Sequence, residues 1–214
     1  MKSIIKIAVL GGTGKAGKYL VNQLLTQNIS FKILVRNPEK FKIENPLIEV
    51  VHGDAQNYES IYALVEGCQA VISALGLGQP PSEPNLFSQV TTHILRAMQA
   101  HQVSRYILIT GLNVNTPFDK KGTQTRFATD WMYTHFPKST QDKQLEYTIL
   151  SASNINWTLV RLPLIEQTDE TKEIQVSLED CPGDKISATD LAHFLIEQLY
   201  TDKFVRQAPF VSNA

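Results

Sequence analysis

Four glycines and two lysines lie within eight positions, at 11–18, directly after an apolar segment, in the stretch IIKIAVLGGTGKAGK. Glycine lets a backbone turn tightly and lets its N–H groups come close to phosphate oxygens. A helix that begins just beyond such a turn adds the partial positive charge of its N-terminus. These residue types and this spacing therefore predict a phosphate-binding turn.

The stretch fits two phosphate-binding patterns, and the first is that of nucleoside triphosphate hydrolases. Gly12, Gly17 and Lys18 satisfy its first seven positions. Its eighth position must be Ser or Thr, because the hydroxyl there binds magnesium. Here that position is Tyr19, whose hydroxyl projects too far from the backbone. We therefore reject triphosphate hydrolysis.

The second pattern is a close relative of the dinucleotide fingerprint, with glycines at 11, 14 and 17. The strand predicted at 4–10 and the helix predicted at 17–27 supply the context that gives this pattern its meaning. The alternative is a glycine-rich turn that only links a strand to a helix. We predict that a pyrophosphate binds to this turn, with contacts from Gly11, Thr13, Gly14, Lys15, Ala16 and Gly17.

The residue after the second predicted strand discriminates between the two nicotinamide coenzymes. NAD-binding chains usually place an acidic residue there for the ribose diol, whereas Arg suits the 2′-phosphate of NADP. Here Arg36 is followed by Asn37, and Lys15 could add a second cation. We predict NADP(H) in preference to NAD(H), the alternative being a solvated surface arginine. Asp54 and Ala55, after the third strand, are expected to face the adenine, although Asp54 could equally cap a turn.

Short β-rich segments alternate with longer helical patterns along the whole chain. Strands are predicted at 4–10, 31–35, 48–51, 70–74, 106–110 and 157–161, with a seventh candidate at 174–178. Helices are predicted at 17–27, 59–65, 87–101 and 141–152, with a last one that ends at 200 and uses Thr189 and Asp190 as caps. Residues 76–84 form a Gly/Pro-rich break, and 111–138 is expected to be irregular. The alternation predicts an α/β fold, a doubly wound parallel sheet with helices on both faces.

Composition excludes several function classes. The chain of 214 residues is 43% hydrophobic and 19% charged, with a net charge of −1. This suits one domain and gives no electrostatic footprint for nucleic acid or an anionic membrane. The histidines show no metal-binding spacing, so we predict no metal. We expect a cytoplasmic monomer or homodimer with free thiols at Cys68 and Cys181.

These motifs together resemble the extended and atypical short-chain dehydrogenase/reductases, above all the NAD(P)H-binding, NmrA-like group with its biliverdin/flavin reductase branch. The similarity runs nearly end to end, through GGTGKAG, LVRNPEK, VVHGDAQN, AVISALG, YILITG, WTLVRLPLI and ISATDLAHFLIEQL. It implies a single Rossmann-type domain over 1–214, with NADP at the carboxyl edge of the sheet. It further implies that the nicotinamide half is lined by Leu75, Gly76, Thr110, Gly111, Pro163, Leu164 and Ile165.

The sequence departs from that family at the residues that usually perform the chemistry. The typical enzyme has a Ser after strand five and a Tyr-x-x-x-Lys on the next helix. Here Gly111 stands at the serine position, with Thr110 before it, and Ser139 stands four residues before Lys143. The biliverdin/flavin reductase branch also resembles this chain in lacking the pair. In that branch, hydride passes to a flavin or a tetrapyrrole, and solvent can supply the proton.

Thr110, Lys143 and Tyr147 are the candidate catalytic residues. Lys143 could reach the nicotinamide ribose, but Lys143 and Glu146 could equally form an ordinary i, i+3 surface pair. Residues 112–138 are predicted to form an acceptor-site loop, whose aromatic side chains could stack on a planar acceptor. Core burial is the alternative for at least half of those rings. His135 could donate a proton, or it could simply be a loop histidine.

We predict an NADPH-dependent oxidoreductase that transfers hydride to a small planar acceptor, flavin- or quinone-like, with no nucleic-acid or membrane partner. Two alternatives remain open. The first is a non-catalytic NADP-binding sensor of the NmrA type, which the missing Tyr and Ser favour. The second is nucleotide-sugar epimerase-like chemistry, which normally requires that Tyr.

Overall fold

The computed structural model describes residues 6–76 and 84–214, which form one large sheet flanked by helices. The strands are β1 (Lys6–Leu10), β2 (Ser30–Val35), β3 (Ile48–His52), β4 (Ala70–Ser73), β5 (Arg105–Gly111), β6 (Asn156–Leu162), β7 (Leu164–Glu166), β8 (Ile174–Ser177), β9 (Lys185–Ser187) and β10 (Phe210–Asn213). The helices are α1 (Lys15–Thr26), α2 (Tyr58–Val65), α3 (Leu86–Ala100), α4 (Thr123–His135), α5 (Pro137–Ala152) and α6 (Ala188–Glu197). Residues 4 and 5 of the first predicted strand, and 77–83 of the Gly/Pro-rich break, lie outside the described residues.

The large sheet has eight strands in the order β3-β2-β1-β4-β5-β6-β10-β8. Neighbouring strands are parallel from β3 to β10, and only β8 runs antiparallel, beside β10. The chain proceeds outward from β1 in one direction and then returns to β4 on the other side of it. This order is that of the Rossmann fold, in which ligands bind where the direction reverses, beyond the carboxyl ends of β1 and β4.

Helices cover both faces of the sheet, so its central strands are buried on each side. Residues 7–10 of β1 are fully buried, as their continuous apolar character predicts for a central parallel strand. Apolar side chains of α1 and α6 pack on one face. Those of α2, α3 and α5 pack on the other face. The predicted α/β architecture with helices on both faces is confirmed.

Three local predictions are wrong. Residues 123–135 form α4 rather than an irregular segment; the helix buries Thr125 and Thr129 and exposes Phe127 and Trp131, so it has no apolar stripe to reveal it. The cap of α6 is Ser187, whose Oγ accepts a hydrogen bond from the Asp190 N–H, rather than a residue at 189–190. The third error is an omission, since the strands β7, β9 and β10 were not predicted.

Helices α3 and α5 have 15 and 16 residues. Within residues 6–76 and 84–214, no helix is both long and apolar enough to cross a membrane.

Candidate functional site

The glycine-rich turn between β1 and α1 lies against the end of β4. Gly11 has a positive φ of 72°, and a Cβ on it would lie 2.5 Å from the carbonyl oxygen of Ala74. A Cβ on Gly17 would collide with the Gly11 carbonyl oxygen, to which the Gly14 N–H donates a 2.9 Å hydrogen bond. The turn is therefore packed so closely that its backbone can form only with glycine at positions 11 and 17.

In the described part of the chain, no side chain accepts a hydrogen bond from the backbone N–H groups in the first turn of α1. Its N-cap is Gly14, which provides no side-chain hydrogen bond, and no acidic residue lies in the first turn. In α2 and α6, by contrast, Asn57 and Ser187 accept hydrogen bonds from first-turn N–H groups. Free N–H groups and the partial positive charge of the helix terminus suit a phosphate. The turn at residues 11–17 therefore has the backbone geometry that the predicted phosphate site requires.

Arg36 and Asp54 lie side by side beyond the ends of the paired strands β2 and β3. Their side chains are 64% and 40% exposed, and Arg36 NH1 is 3.8 Å from Asp54 Oδ2. Asp54 Oδ1 accepts a 2.9 Å hydrogen bond from the Gln56 N–H, so the turn-capping role considered for Asp54 is present. Within residues 6–76 and 84–214, this long contact is the one ion pair of Arg36, so its exposed guanidinium has N–H donors for a ligand.

An open cleft of about 210 Å³ begins where the strand order reverses, beyond β1 and β4, and crosses the carboxyl ends of β4, β5 and β6. Its wall contains six of the seven residues predicted for the nicotinamide half: Leu75, Gly76, Thr110, Gly111, Pro163 and Ile165. The seventh, Leu164, is 66% exposed and lies outside this wall. The remaining lining residues are Phe87, Ile109, Asn113, Met132, Ser139, Thr140, Lys143 and Leu162.

Lys143 is fixed in the wall of this cleft by three contacts. Its Nζ donates to the carbonyl oxygen of Ile109 at 3.2 Å and to Glu146 Oε2 at 3.0 Å, and it lies 3.6 Å from the centre of the Phe87 ring. Glu146 is only 4% exposed, and its other oxygen accepts a hydrogen bond from Thr91 Oγ1 at 3.0 Å. Burial raises the pKa of Glu146, and the neighbouring Lys143 opposes that rise. The pair is therefore buried, and the alternative of a surface pair is wrong.

Two hydroxyl groups accompany Lys143 in the cleft wall. Ser139 lies one helical turn before Lys143 on α5, at the position of the missing tyrosine, and its Oγ donates to the Phe136 carbonyl oxygen at 3.2 Å. Thr110 is 5% exposed, and its Oγ1 has no hydrogen-bond partner in the described chain. An unsatisfied buried hydroxyl beside an open cleft suits a polar ligand.

Several residues that the sequence singled out lie elsewhere. Tyr147 lines a second cavity beside Trp157, and burial raises its pKa. His135 is exposed, and its Nδ1 lies 2.9 Å from the carbonyl oxygen of Trp131. Of segment 112–138, the residues in the cleft wall are Asn113 and Met132, and its aromatic rings are not among them. The expected aromatic stacking platform is therefore not formed by this cleft.

Some lining residues had not been identified from the sequence. Asn113 comes two residues after the end of β5, and it is 3% exposed. Phe87 comes from the first turn of α3, where its N–H donates to the buried Asp142 Oδ2 at 2.7 Å. The contribution of Phe87 depends on how α3 and α5 pack together, which local sequence patterns do not report. Among the described residues, no three His, Cys, Asp or Glu side chains are grouped closely enough to hold a metal ion.

The fold and this site define the class of protein. A family model described as NAD(P)H-binding matches residues 11–202, so the chain belongs to that family. The match covers the glycine turn, Arg36 and the whole of the cleft wall.

Particular relatives match parts of the chain. Photosystem II assembly factor Ycf39 of Trieres chinensis is 26% identical over 209 residues, which is 91% of this chain and 60% of that protein. An isoflavone reductase homologue, A622-like, of Nicotiana tabacum is 31% identical over 94 residues, or 40% of this chain and 30% of that protein. The chain therefore spans less than two thirds of either relative.

Solved structures confirm the fold. A short-chain dehydrogenase/reductase of Veillonella parvula, in ethylated form, superposes with a TM-score of 0.82 at 17% identity, covering 99% of this chain and 95% of that one. Its structure in complex with NADP gives a TM-score of 0.79 with the same coverage. The expected relationship to short-chain dehydrogenase/reductases is thus confirmed at the level of fold, and membership of an NAD(P)H-binding family is confirmed by the family match.

Proposed function

We propose that the protein is an NADPH-dependent reductase that passes hydride to a small planar acceptor, flavin- or quinone-like, in the cleft of Thr110 and Lys143. One observation carries the proposal. The side chain of Arg36, the uncapped N-terminus of α1 and an apolar cleft follow one another along one edge of the sheet, in the order in which NADP presents its 2′-phosphate, pyrophosphate and nicotinamide.

The residues present fit the cofactor. The N–H groups of residues 15–17 would hold the pyrophosphate, because no side chain of the described residues caps them and glycine permits close approach. Arg36 would bind the 2′-phosphate, for which a guanidinium fork is well suited. Asp54 and Ala55 would border the adenine. The nicotinamide, when bound, supplies the hydride.

Lys143 is the group in the cleft that can position a polar atom of the cofactor or the acceptor. An ammonium has three N–H donors, and the Ile109 carbonyl and Glu146 take two of them. The third remains for a ribose hydroxyl or an acceptor oxygen. The hydroxyls of Thr110 and Ser139 can donate to the same region, but neither is an acid near neutral pH.

This set of groups favours an acceptor that needs positioning rather than strong acid catalysis. Carbonyl reduction in the typical enzyme uses a tyrosine as the acid, and Ser139 cannot replace it. A conjugated planar acceptor can take hydride while solvent supplies the proton. The cleft wall is largely aliphatic at Ile109, Met132 and Leu162, which suits the face of such a ring.

The test follows oxidation of NADPH at its absorbance band with the purified protein. The acceptor panel contains a flavin, a quinone, a tetrapyrrole and an aliphatic ketone. We expect turnover with at least one planar acceptor, none with the ketone, and a loss of about tenfold or more in Lys143→Met. Tight NADPH binding without turnover of any acceptor would overturn the reductase proposal.

That last outcome would leave a second candidate, a protein that binds NADP and regulates or assembles a partner without turnover. Ser139 in place of the tyrosine favours it. The relative that matches over 91% of the chain is also named as an assembly factor. In that case Lys143→Met would alter coenzyme affinity and would have no turnover to reduce.

A further inference from the structure

A second cavity, of about 240 Å³, lies beside the lower half of β6. It shares no lining residue with the cofactor cleft. Trp157 lies near the start of β6 in this cavity, whereas Leu162 ends the strand in the cleft. At the rise of a β-strand the two lie roughly 16 Å apart, so the cavity is a separate site.

Aromatic and aliphatic side chains form the inner wall of this cavity. Trp157 is 4% exposed, and the Tyr147 ring meets it edge-on with ring centres 6.1 Å apart. Leu178, Val205 and Ala208 also line the cavity, as do the polar residues Thr116 and Gln207, and Phe118 in the lining is 73% exposed. Another protein holds benzene in an apolar cavity of about 150 Å³. The space here therefore suits one aromatic ring with a short polar substituent.

Arg206 supplies a positive charge to the lining. Its NH1 donates to the carbonyl oxygen of Ser153 at 2.8 Å, and within residues 6–76 and 84–214 no carboxylate pairs with it. Arg161, by contrast, is buried and paired with Asp119 at 2.6 Å. A guanidinium with unused N–H donors next to an apolar cavity is suited to a carboxylate.

The backbone holds Arg206 in an unfavourable conformation at this place. Its φ is +57°, in the left-handed region that non-glycine residues seldom adopt, and its N–H donates to the Trp157 carbonyl oxygen at 2.6 Å. Such strain is retained where the surrounding structure enforces it, and it concentrates at functional sites. The Trp157 Nε1–H is also buried without an acceptor in the described chain, which leaves a donor for a ligand oxygen.

From this combination we infer that the cavity binds a small aromatic monocarboxylate. The ring lies against Trp157, Tyr147 and Leu178, and the carboxylate pairs with Arg206. The inference goes beyond the proposed reductase function, since no part of the cofactor cleft contributes to the site and the ligand need not be a substrate.

The test uses the full chain carrying Trp131→Phe, which leaves Trp157 as its only tryptophan because the sequence contains two. Phenylacetate is titrated while Trp157 fluorescence is followed, and phenylacetamide serves as the uncharged probe of the same shape. We expect saturable quenching by the acid and binding at least tenfold weaker for the amide. Equal affinity for the two, or no saturation by phenylacetate in the millimolar range, would overturn the inference.

Two variants and one competitor locate the binding. Arg206→Gln should lower the affinity for phenylacetate at least tenfold, and Arg206→Lys should retain part of that affinity. Arg126→Gln, which removes an exposed arginine of α4, should leave it unchanged. Saturating NADPH should not displace phenylacetate. Displacement would place the acid in the cofactor cleft and would contradict a separate site, whether or not the protein proves to be a reductase.

Discussion

The ammonium of Lys143 lies 3.0 Å from the carboxylate of Glu146, one turn further along α5, and that carboxylate is 4% exposed. A carboxylate buried so deeply is normally retained only with a paired charge and further hydrogen bonds, and here Thr91 supplies one. The pair fixes the only lysine that lines the cleft in the part of the chain that the structure describes.

Replacing either member of this pair should lower the free energy of unfolding. Replacing both should lower it by less than the sum of the two single losses. Lys143→Met leaves the Glu146 carboxylate unpaired, and Glu146→Gln leaves the ammonium without its counter-charge. We expect each single variant to lose about 3 kcal/mol of unfolding free energy, with a coupling of at least about 1 kcal/mol in the double variant. Urea unfolding of the four proteins measures this. Strictly additive losses would show that the two side chains do not stabilise each other.

Arg36→Ala should lower the affinity for NADPH far more than the affinity for NADH. Among the described residues, the ion-pair partner of this guanidinium is Asp54, at 3.8 Å and exposed, so its removal should not disturb the fold. A lost charge-assisted contact with the 2′-phosphate predicts a fall in NADPH affinity of about tenfold or more. NADH, which lacks that phosphate, should change by no more than about threefold. Equal losses for the two coenzymes would refute the predicted preference, and Arg126→Ala on α4 is the control.

Asp142→Ala should loosen the start of α3, which carries Phe87 into the cleft. The N-cap residue Asn85 gives no side-chain hydrogen bond, and Asp142 of α5 instead accepts from the N–H groups of Phe87 and Ser88 at 2.7 and 3.3 Å. Losing these acceptors should cost about 1–3 kcal/mol. Hydrogen exchange at the two amides should rise as unfolding free energy falls. Unchanged protection there would contradict the capping role, and Asp130→Ala on α4 should be neutral.

Lys121 should make stability depend on pH in the alkaline range. Burial lowers its pKa from 10.5 to about 8, against the opposing attraction of Asp119. Between pH 8 and pH 10.5 the unfolded chain therefore binds the proton that the folded chain has lost, and stability from this group rises with pH. We expect the unfolding free energy of the wild type, relative to Lys121→Met, to increase by about 1–3 kcal/mol between pH 7.5 and pH 10. A constant or falling difference would contradict the depressed pKa.

Those elements of the fold that local sequence patterns encode could be predicted from the sequence. The turn at 11–17 and the strands on either side of β1 were predictable, because a strand buried on both faces is continuously apolar and only glycine permits the turn. α4 was missed because its exposed positions carry Phe127 and Trp131 while threonines face inward. β10 was missed because it is four residues long and gains its stability from pairing with the distant strand β8.

The candidate site shows the same contrast between residues that local patterns predict and residues that tertiary packing places. Residues at or just beyond the carboxyl ends of strands, such as Thr110, Gly111 and Pro163, lie together in the cleft wall, because the ends of parallel strands meet at one edge. Residues on helices were predicted less consistently, because Lys143 of α5 lines the cleft whereas Tyr147 of the same helix does not. Tyr147 lies one turn further on than Lys143, but the four-residue spacing alone does not say which cavity the side chain reaches.

Calorimetric titration of the full chain with NADPH and, separately, with NADH tests the proposed dinucleotide site most directly. We predict that one NADPH binds saturably per chain, with an affinity at least about tenfold higher than that for NADH. A Gly17→Ala variant should abolish the association while circular dichroism remains that of a folded chain, because its Cβ would collide with the Gly11 carbonyl oxygen. No detectable heat with either coenzyme would contradict the assignment of the glycine turn as a dinucleotide site.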